Sequence, residues 1–289
     1  MTFVNMIRSA AILSAVCFFG ASAPSIWAQD NGTDGPPKIL EIQREFLKPG
    51  RNGAVHVKSE AGFIHALANA KATPRYLAMT SLSGKPRALF FSGYALLSAW
   101  EEETKSVYKN ATLAAAMDRV NLADGDLLTE FDESLLSRRD DLSFNMGNLQ
   151  GDRYMEIIQF AIRPGHTRDW EEVVKMVQAG YKKGLPDANW AMFQMLYGSG
   201  GDTYIAVVKY KSLGEADQSL ASDSKFADAL GEGGMNKLEE LEAKCVESRQ
   251  TNLFAFSPEM SYPPDAWTKA EPDYWKQPKT AAAAKKAAQ

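Results

Sequence analysis

The chain has 289 residues, with 32 basic against 36 acidic side chains and a formal net charge of −4. No basic cluster stands out, so nucleic acid is not an expected partner. Hydrophobic residues make up 45%, enough for one large or two smaller packed domains, and beyond the first thirty residues no apolar run is long enough for a membrane span.

Residues 1–28 read as a signal peptide: one positive charge at Arg8, an apolar run from Ala10 to Ala21, then small residues and a cleavage site ending at Ala28. The expected location is therefore exported, periplasmic or extracellular. Of the two cysteines, Cys17 would leave with that leader and Cys245 would remain alone. Without an internal disulfide, stability has to come from an apolar core. Cys245 falls on an apolar stripe with Met235, Leu238 and Leu241, where it reads as a small buried hydrophobe.

The next segment, "ILEIQREFLKPGR" (Ile39 to Arg51), alternates apolar and polar residues and ends in a Pro-Gly turn. That pattern predicts a strand. A helix follows, then two strands around "SGKPR", a second helix, and a final extended segment in "DLLTEFDESLL". The chain then repeats itself. "YMEIIQFAIRPGH" (Tyr154 to His166) restates the first phrase, with Pro164-Gly165 in the place of Pro49-Gly50. Trp170, Val173, Val174, Val177 and Tyr181 make one helical face. "WAMFQMLYGSGGDTYIAVVKY" gives two strands joined by a Gly-rich turn. "GEGG" (Gly231 to Gly234) breaks the approach to the last helix, and "QTNLFAFS" closes the second unit.

Four blocks recurring in one order predict a tandem duplication of a unit of roughly 110 residues. Each unit reads β-α-β-β-α-β, a ferredoxin-like motif with helices on one sheet face. Two such sheets can bury their open faces against each other. The expected fold class is thus α+β: two tandem ferredoxin-like units packed sheet to sheet. The first unit spans 38–145 and the second 152–263. Residues 264–289 form a C-terminal tail, expected to be largely disordered at its end, "KTAAAAKKAAQ". Because each unit is the other's partner, a monomer with pseudo-dimeric units is expected rather than an obligate oligomer.

The strand ending "IRPGH", the helix after it and the "VVKYKSLGEAD" strand-to-helix passage resemble the dimeric α+β barrel superfamily. The closest likeness is to its NIPSNAP-like and antibiotic-biosynthesis-monooxygenase-like members, here as a tandem pair. The likeness covers most of residues 38 to 263 and is one of pattern, not of a catalytic signature. The resemblance implies a cleft between the two sheets. It also implies varied activities: cofactor-free oxygenases, haem-degrading or haem-dependent enzymes, isomerases, and members with no known activity.

The sequence carries no nucleophile elbow, Walker loop or dinucleotide fingerprint. Its three histidines, His56, His65 and His166, show no metal-ligand spacing. No metal site and no cofactor are expected, although haem, which needs only one histidine, stays open. His166 begins a helix, where a polar residue solvates or caps the end. Runs such as "EEETK" and "SRRDD" read as solvated faces.

The candidate chemistry sits on the first strands. If Leu40, Ile42 and Phe46 meet the helices, Glu41, Gln43 and Glu45 face the inter-sheet space, where a carboxylate can act as acid or base. Glu41 and Glu156 are the catalytic candidates. Gln43, Tyr76, Thr80, Tyr154, Trp190 and Gln194 are the expected ligand-binding lining. An aromatic wall with few polar groups suits a small hydrophobic or aromatic ligand. The expected function is binding, with or without transformation, of such a molecule between the sheets. The alternative is a non-catalytic structural or interaction module whose inter-sheet core is fully packed.

Overall fold

A computed structural model describes residues 35–275, apart from Ser199. The expected signal peptide, 1–28, and the end of the expected tail lie outside the described residues. The first unit contains strand β1 (Ile39–Leu47), helix α1 (Ala54–Asn69), β2 (Leu77–Ser81), β3 (Arg87–Tyr94), α2 (Leu97–Lys109), α3 (Ala111–Gly125) and β4 (Leu128–Arg138). The second repeats the order with β5 (Tyr154–Ile162), α4 (Thr167–Gly184), β6 (Ala191–Tyr197), β7 (Thr203–Tyr210), α5 (Leu213–Leu220), α6 (Asp223–Cys245) and β8 (Val246–Phe256). A short α7 (Asp265–Ala270) follows.

The repeated Pro-Gly phrase has a backbone cause. Gly50 and Gly165 have φ of 77° and 84°, a left-handed turn that glycine enters without a Cβ clash. Both turns aim the chain from a strand into the following helix. The expected single second helix of each unit is two consecutive helices. Asn110 ends α2 and caps α3, its side chain accepting from Leu113 N at 3.1 Å. Gly231, with φ 72°, breaks α6 where the "GEGG" stretch predicted a break.

All eight strands pair antiparallel into one closed barrel, in the order β1-β3-β2-β8-β5-β7-β6-β4. Each unit supplies four adjacent strands. Two short seams close the barrel, β2 against β8 and β4 against β6. Closure leaves neither unit with an open sheet edge. The α+β class and the two ferredoxin-like units packed through their sheets are thus what the molecule shows.

Leu40, Ile42, Leu77, Met79, Phe91, Met155, Ile157 and Phe254 pack together inside the barrel. Trp275 joins them at 3% exposure, with Trp267 and Tyr274 against it. Residues 264–275, read from the sequence as the start of the tail, therefore plug the end of the barrel where β1 and β5 begin. Arg153 stacks 3.7 Å from the Tyr274 ring centroid and fixes the plug further. Among the described residues, no helix is long and apolar enough to cross a membrane.

The interior assignment reverses an expectation. Leu40 and Ile42 face into the barrel, not the helices, and Phe46 lines its far mouth. Glu41, Gln43 and Glu45 therefore face outward, under the helices of unit one. In unit two, Met155 and Ile157 point inward, so Tyr154 and Glu156 alternate to the outer face. The physical reason is that both faces of these strands are covered. Alternation gives the period of a strand but not which side is which.

Candidate functional site

The two units differ in how their helices meet the outer face of the sheet. In unit two, Phe160, Trp170, Met192 and Tyr204 fill that layer, with Cys245 fully buried among them. Burial raises the Cys245 thiol above its usual range, consistent with a packing role. At the equivalent strand positions of unit one stand Glu45, Ala78 and Ala88, and Gln43 replaces Ile158. Small and polar side chains have taken the place of large apolar ones. Ala78 and Ala88 pack with Phe90 and Met260, while over Gln43 and Glu45 the helices bridge a cavity of about 680 Å³.

Its floor is the outer face of β1, β3 and β4, and its roof is α1, α2 and α3. Phe63, Leu67, Phe90, Val107, Met117 and Phe131 give apolar walls. Three of the sequence candidates, Glu41, Gln43 and Tyr76, line it. Gln43 Nε2 donates to Glu133 Oε1 at 2.7 Å. Tyr76 packs edge-on to Phe90, with its hydroxyl buried and without a hydrogen-bond partner.

Glu41 belongs to a small polar system. Trp100 Nε1 donates to Glu41 Oε1 at 2.8 Å. Tyr94 Oη donates to Glu103 Oε1 at 2.8 Å and lies 3.4 Å from Glu41 Oε2. Burial pushes the Glu41 carboxyl above its usual range, and the Trp100 bond offsets part of that. Glu103 is pushed up to about 7, first by burial and then by the charge of Glu41, against the opposing Tyr94 hydrogen bond. Burial, with both carboxylates close by, raises the Tyr94 phenol far above its usual range. A carboxyl that titrates near neutrality in the wall of a cavity can give or take a proton.

The sequence reading put Glu103 among solvated charges. That holds for Glu101, which pairs with Lys105 on the exposed side of α2. Glu103 turns inward with Trp100, Thr104 and Val107, which share its helical face. That spacing was the available signal. Unit two keeps the Glu–Tyr pair, Tyr210 Oη donating to Glu156 Oε2 at 2.9 Å. At the places of Trp100 and Glu103 it has Ala216 and Ser219.

The remaining candidates do not join this site. Thr80 lies on the outer face of β2, opposite Ala88 and Ala255. Trp190 stacks on Phe144 with centroids 4.9 Å apart and donates to Leu142 O at 2.9 Å. Gln194 accepts from Arg139 at 3.0 Å. Tyr154 and Glu156 stay on the outer face of unit two. The expected lining of the inter-sheet space is thus split between two helix-covered faces. His166 occupies the first position before α4 but pairs with Asp169 at 2.7 Å, with no side-chain cap.

The inter-sheet space is apolar through its middle and polar at the mouth opposite the plug. There Arg44 pairs with Asp132 across β1 and β4, and Arg87 donates to Asn252 at 2.7 Å, around a cavity of about 240 Å³.

One more group adjoins the large cavity. Glu45 on β1, His56 and Glu60 on α1, and Asp124 near the end of α3 meet with one ligand-type atom each, all within 4.8 Å of one another. All four are buried. It is the one such grouping among the described residues. Only His56 and Glu60, one helical turn apart, are close in sequence. The fold brings the other two from a strand and another helix, which is why spacing offered no metal site.

No protein-family model matches the chain, and no curated protein matches its sequence. Solved structures are similar to it at low identity. A candidate monooxygenase of Fusobacterium nucleatum is 10% identical, over 75% of this chain and 91% of its own, with a TM-score of 0.49. An anthrone oxidase-like protein is 12% identical, over 78% and 93%, with a TM-score of 0.47. A mutant chlorite dismutase from Candidatus Nitrospira defluvii, in complex with cyanide, is 13% identical, over 77% and 92%, with a TM-score of 0.44.

Proposed function

We propose that the protein binds a small molecule with an aromatic or apolar body in the cavity between the sheet and helices of unit one, and exchanges a proton with it through Glu103. The observation that carries this reading is the cavity of about 680 Å³, lined by apolar and aromatic side chains around Tyr94, Glu41 and Glu103. Its size falls within the roughly 300–1,000 Å³ of small-molecule pockets. The lining is mixed, with carboxylates on both floor and roof, and the Tyr94–Glu103 pair would orient a hydroxyl or carbonyl while the rest of the ligand lies on Phe63, Phe90 and Met117. Unit two, with the same layer filled by Trp170 and its neighbours, serves as scaffold.

The chemistry follows from the shared hydroxyl. Tyr94 donates to Glu103, so a proton arriving on Glu103 reorganises the Tyr94 and Glu41 bonds together. Protonated Glu103 can donate to a ligand oxygen, and ionised Glu103 can accept from an acidic O–H or C–H.

The test is binding of 1-naphthol as probe, followed by fluorescence. Ala114, on the roof of the cavity, offers a way to fill it. Wild type is expected to bind the probe, and Ala114→Trp to bind it at least about tenfold more weakly. Equal binding by both would place the probe outside this cavity and remove the reading.

Export is part of the same proposal, supported by Arg8, the apolar run from Ala10 to Ala21 and the small residues before Gln29. Amino-terminal sequencing of the protein from its own source is expected to read from Gln29. A start within residues 1–20 would overturn export by cleavage. The resemblance to NIPSNAP-like and antibiotic-biosynthesis-monooxygenase-like proteins is kept as a proposal about ancestry, supported by the twice-written Pro-Gly phrase.

A further inference from the structure

We propose that Glu45, His56, Glu60 and Asp124 bind one divalent transition-metal ion, of the Mn²⁺, Fe²⁺ or Zn²⁺ class, in the wall of the unit-one cavity. The inference stands apart from the cavity's organic ligand, because the ion would bind the ligand-free chain.

The geometry comes first. His56 Nε2 lies 2.8 Å from Glu45 Oε2, 3.6 Å from Glu60 Oε1 and 3.8 Å from Asp124 Oδ1. Donors each about 2.1 Å from one ion stand roughly 3 to 4 Å apart, depending on the angle between them. His56 Nε2 stands at about that spacing from each carboxylate oxygen, all four atoms lie within 4.8 Å of one another, and the side chains that carry them are almost fully enclosed.

The second observation concerns unmet bonding. Glu60 Oε1 and Asp124 Oδ1 are buried and have no hydrogen-bond partner, while both side chains are only 3% exposed. A protonated His56 carries one N–H at Nε2. It can satisfy Glu45, but it leaves the other two oxygens without a donor. A cation at the centre can be shared by all four atoms.

Charge points the same way. With all three carboxyls ionised and the imidazole neutral, the group would carry three negative charges on buried side chains. Such burial costs several kcal/mol per ion unless a counter-charge is present. A divalent ion removes most of the imbalance. The mixed set of one nitrogen and three carboxylate oxygens suits first-row ions that accept both ligand types. Glu45 and Glu60 also line the cavity, so a further coordination position would open toward it.

The contrast with unit two makes the cluster specific. There, Phe160 takes the place of Glu45 and packs 4.6 Å from the Trp170 ring. Unit one has exchanged an aromatic contact for a buried acidic group, a change that costs stability unless something binds it.

The competing arrangement is a proton in place of the ion. Burial, and then the neighbouring charges of Glu45 and Asp124, hold Glu60 well above the usual carboxylate range, so Glu60 could share a proton with Asp124. The two arrangements separate on titration. The full chain, stripped with EDTA and moved to chelator-free buffer, is titrated with Mn²⁺ and with Zn²⁺ by calorimetry. One ion per chain is expected for at least one metal, with a rise in Tm, since an ion that binds only the folded form stabilises it. Glu60→Gln is expected to weaken that binding by more than about 100-fold, beyond the 10- to 100-fold cost of losing an outer-shell partner. Asp124→Asn gives the same comparison if Glu60→Gln does not fold. Glu239→Gln, at an exposed carboxylate of unit two, should bind as wild type does. The proposal is overturned if the wild type binds neither ion below about 1 mM. It is equally overturned if Glu60→Gln keeps wild-type affinity.

Discussion

Replacing Trp170 with alanine is expected to lower stability by about 3–5 kcal/mol, the range for removing a buried Trp or Phe side chain. Trp170 is 2% exposed and sits between the rings of Phe160 and Tyr204, with centroids 4.6 and 5.6 Å away. It shares its helix face with Val173 and Val174, both buried. Deletion leaves a void between α4 and the paired strands β5 and β7, which cannot collapse without moving those strands. The indole N–H has no hydrogen-bond partner, so its loss orphans no acceptor and the effect is one of packing alone. At about 2–4 °C per kcal/mol for a chain of this size, Tm should fall by roughly 6–20 °C. As a comparison on the exposed side of α1, Val55 is 48% exposed, and Val55→Ala should stay within about 0.5 kcal/mol. Thermal unfolding of the two variants checks both. A Trp170→Ala loss below about 1 kcal/mol would mean that the helix layer of unit two is not the rigid partner assumed for unit one.

That asymmetry explains what could be read from the sequence. The strand–Pro-Gly–helix phrase was legible because it is local: a turn that needs positive φ at Gly50 and Gly165 is written with glycine. Element order followed from period and turn signals for the same reason. The direction in which Glu41 and Glu156 point was not legible, since barrel and helices cover opposite faces of the same strand. An apolar row can then belong to either. Reading Phe160, Met192 and Tyr204 against Glu45, Ala78 and Ala88 would have shown which face had lost volume, and so where a cavity could lie. Glu103 was hidden by its neighbours. In "EEETK" the charges at Glu101 and Lys105 meet water and each other, and only the helical face shared with Trp100 and Val107 marks the third glutamate as different. Trp275 was hidden by position, because the low-complexity end of the chain drew the whole stretch after 263 into one tail. The Glu45–His56–Glu60–Asp124 group depends on three elements meeting, which no spacing rule encodes.

The proton-handling role of Glu103 makes a pH-dependent prediction whose sign can be worked out. The carboxyl is raised from an ordinary value of 4.5 to about 7 in the folded chain. Below pH 4.5 it is protonated in folded and unfolded chains alike and changes nothing. Between 4.5 and 7 the unfolded chain releases the proton while the folded chain holds it, so stability falls across that window and levels off above it. The full shift corresponds to about 3 kcal/mol, reduced by the group's partial contact with solvent. A glutamine at 103 keeps an oxygen to accept from Tyr94 Oη and carries no charge at any pH. Glu103→Gln should therefore match wild type near pH 4.5 and be about 1–3 kcal/mol more stable at pH 8. Urea unfolding of both proteins at the two values measures the difference directly. A gap that stays the same at both pH values would mean that the carboxyl titrates in the ordinary range. It would then be fully ionised at neutrality and have no proton to offer a bound molecule. A gap that opens across neutrality would show that unit one holds an ionisable group at a cost in stability. The same loss of packing that opened the cavity would then also have tuned the acid inside it.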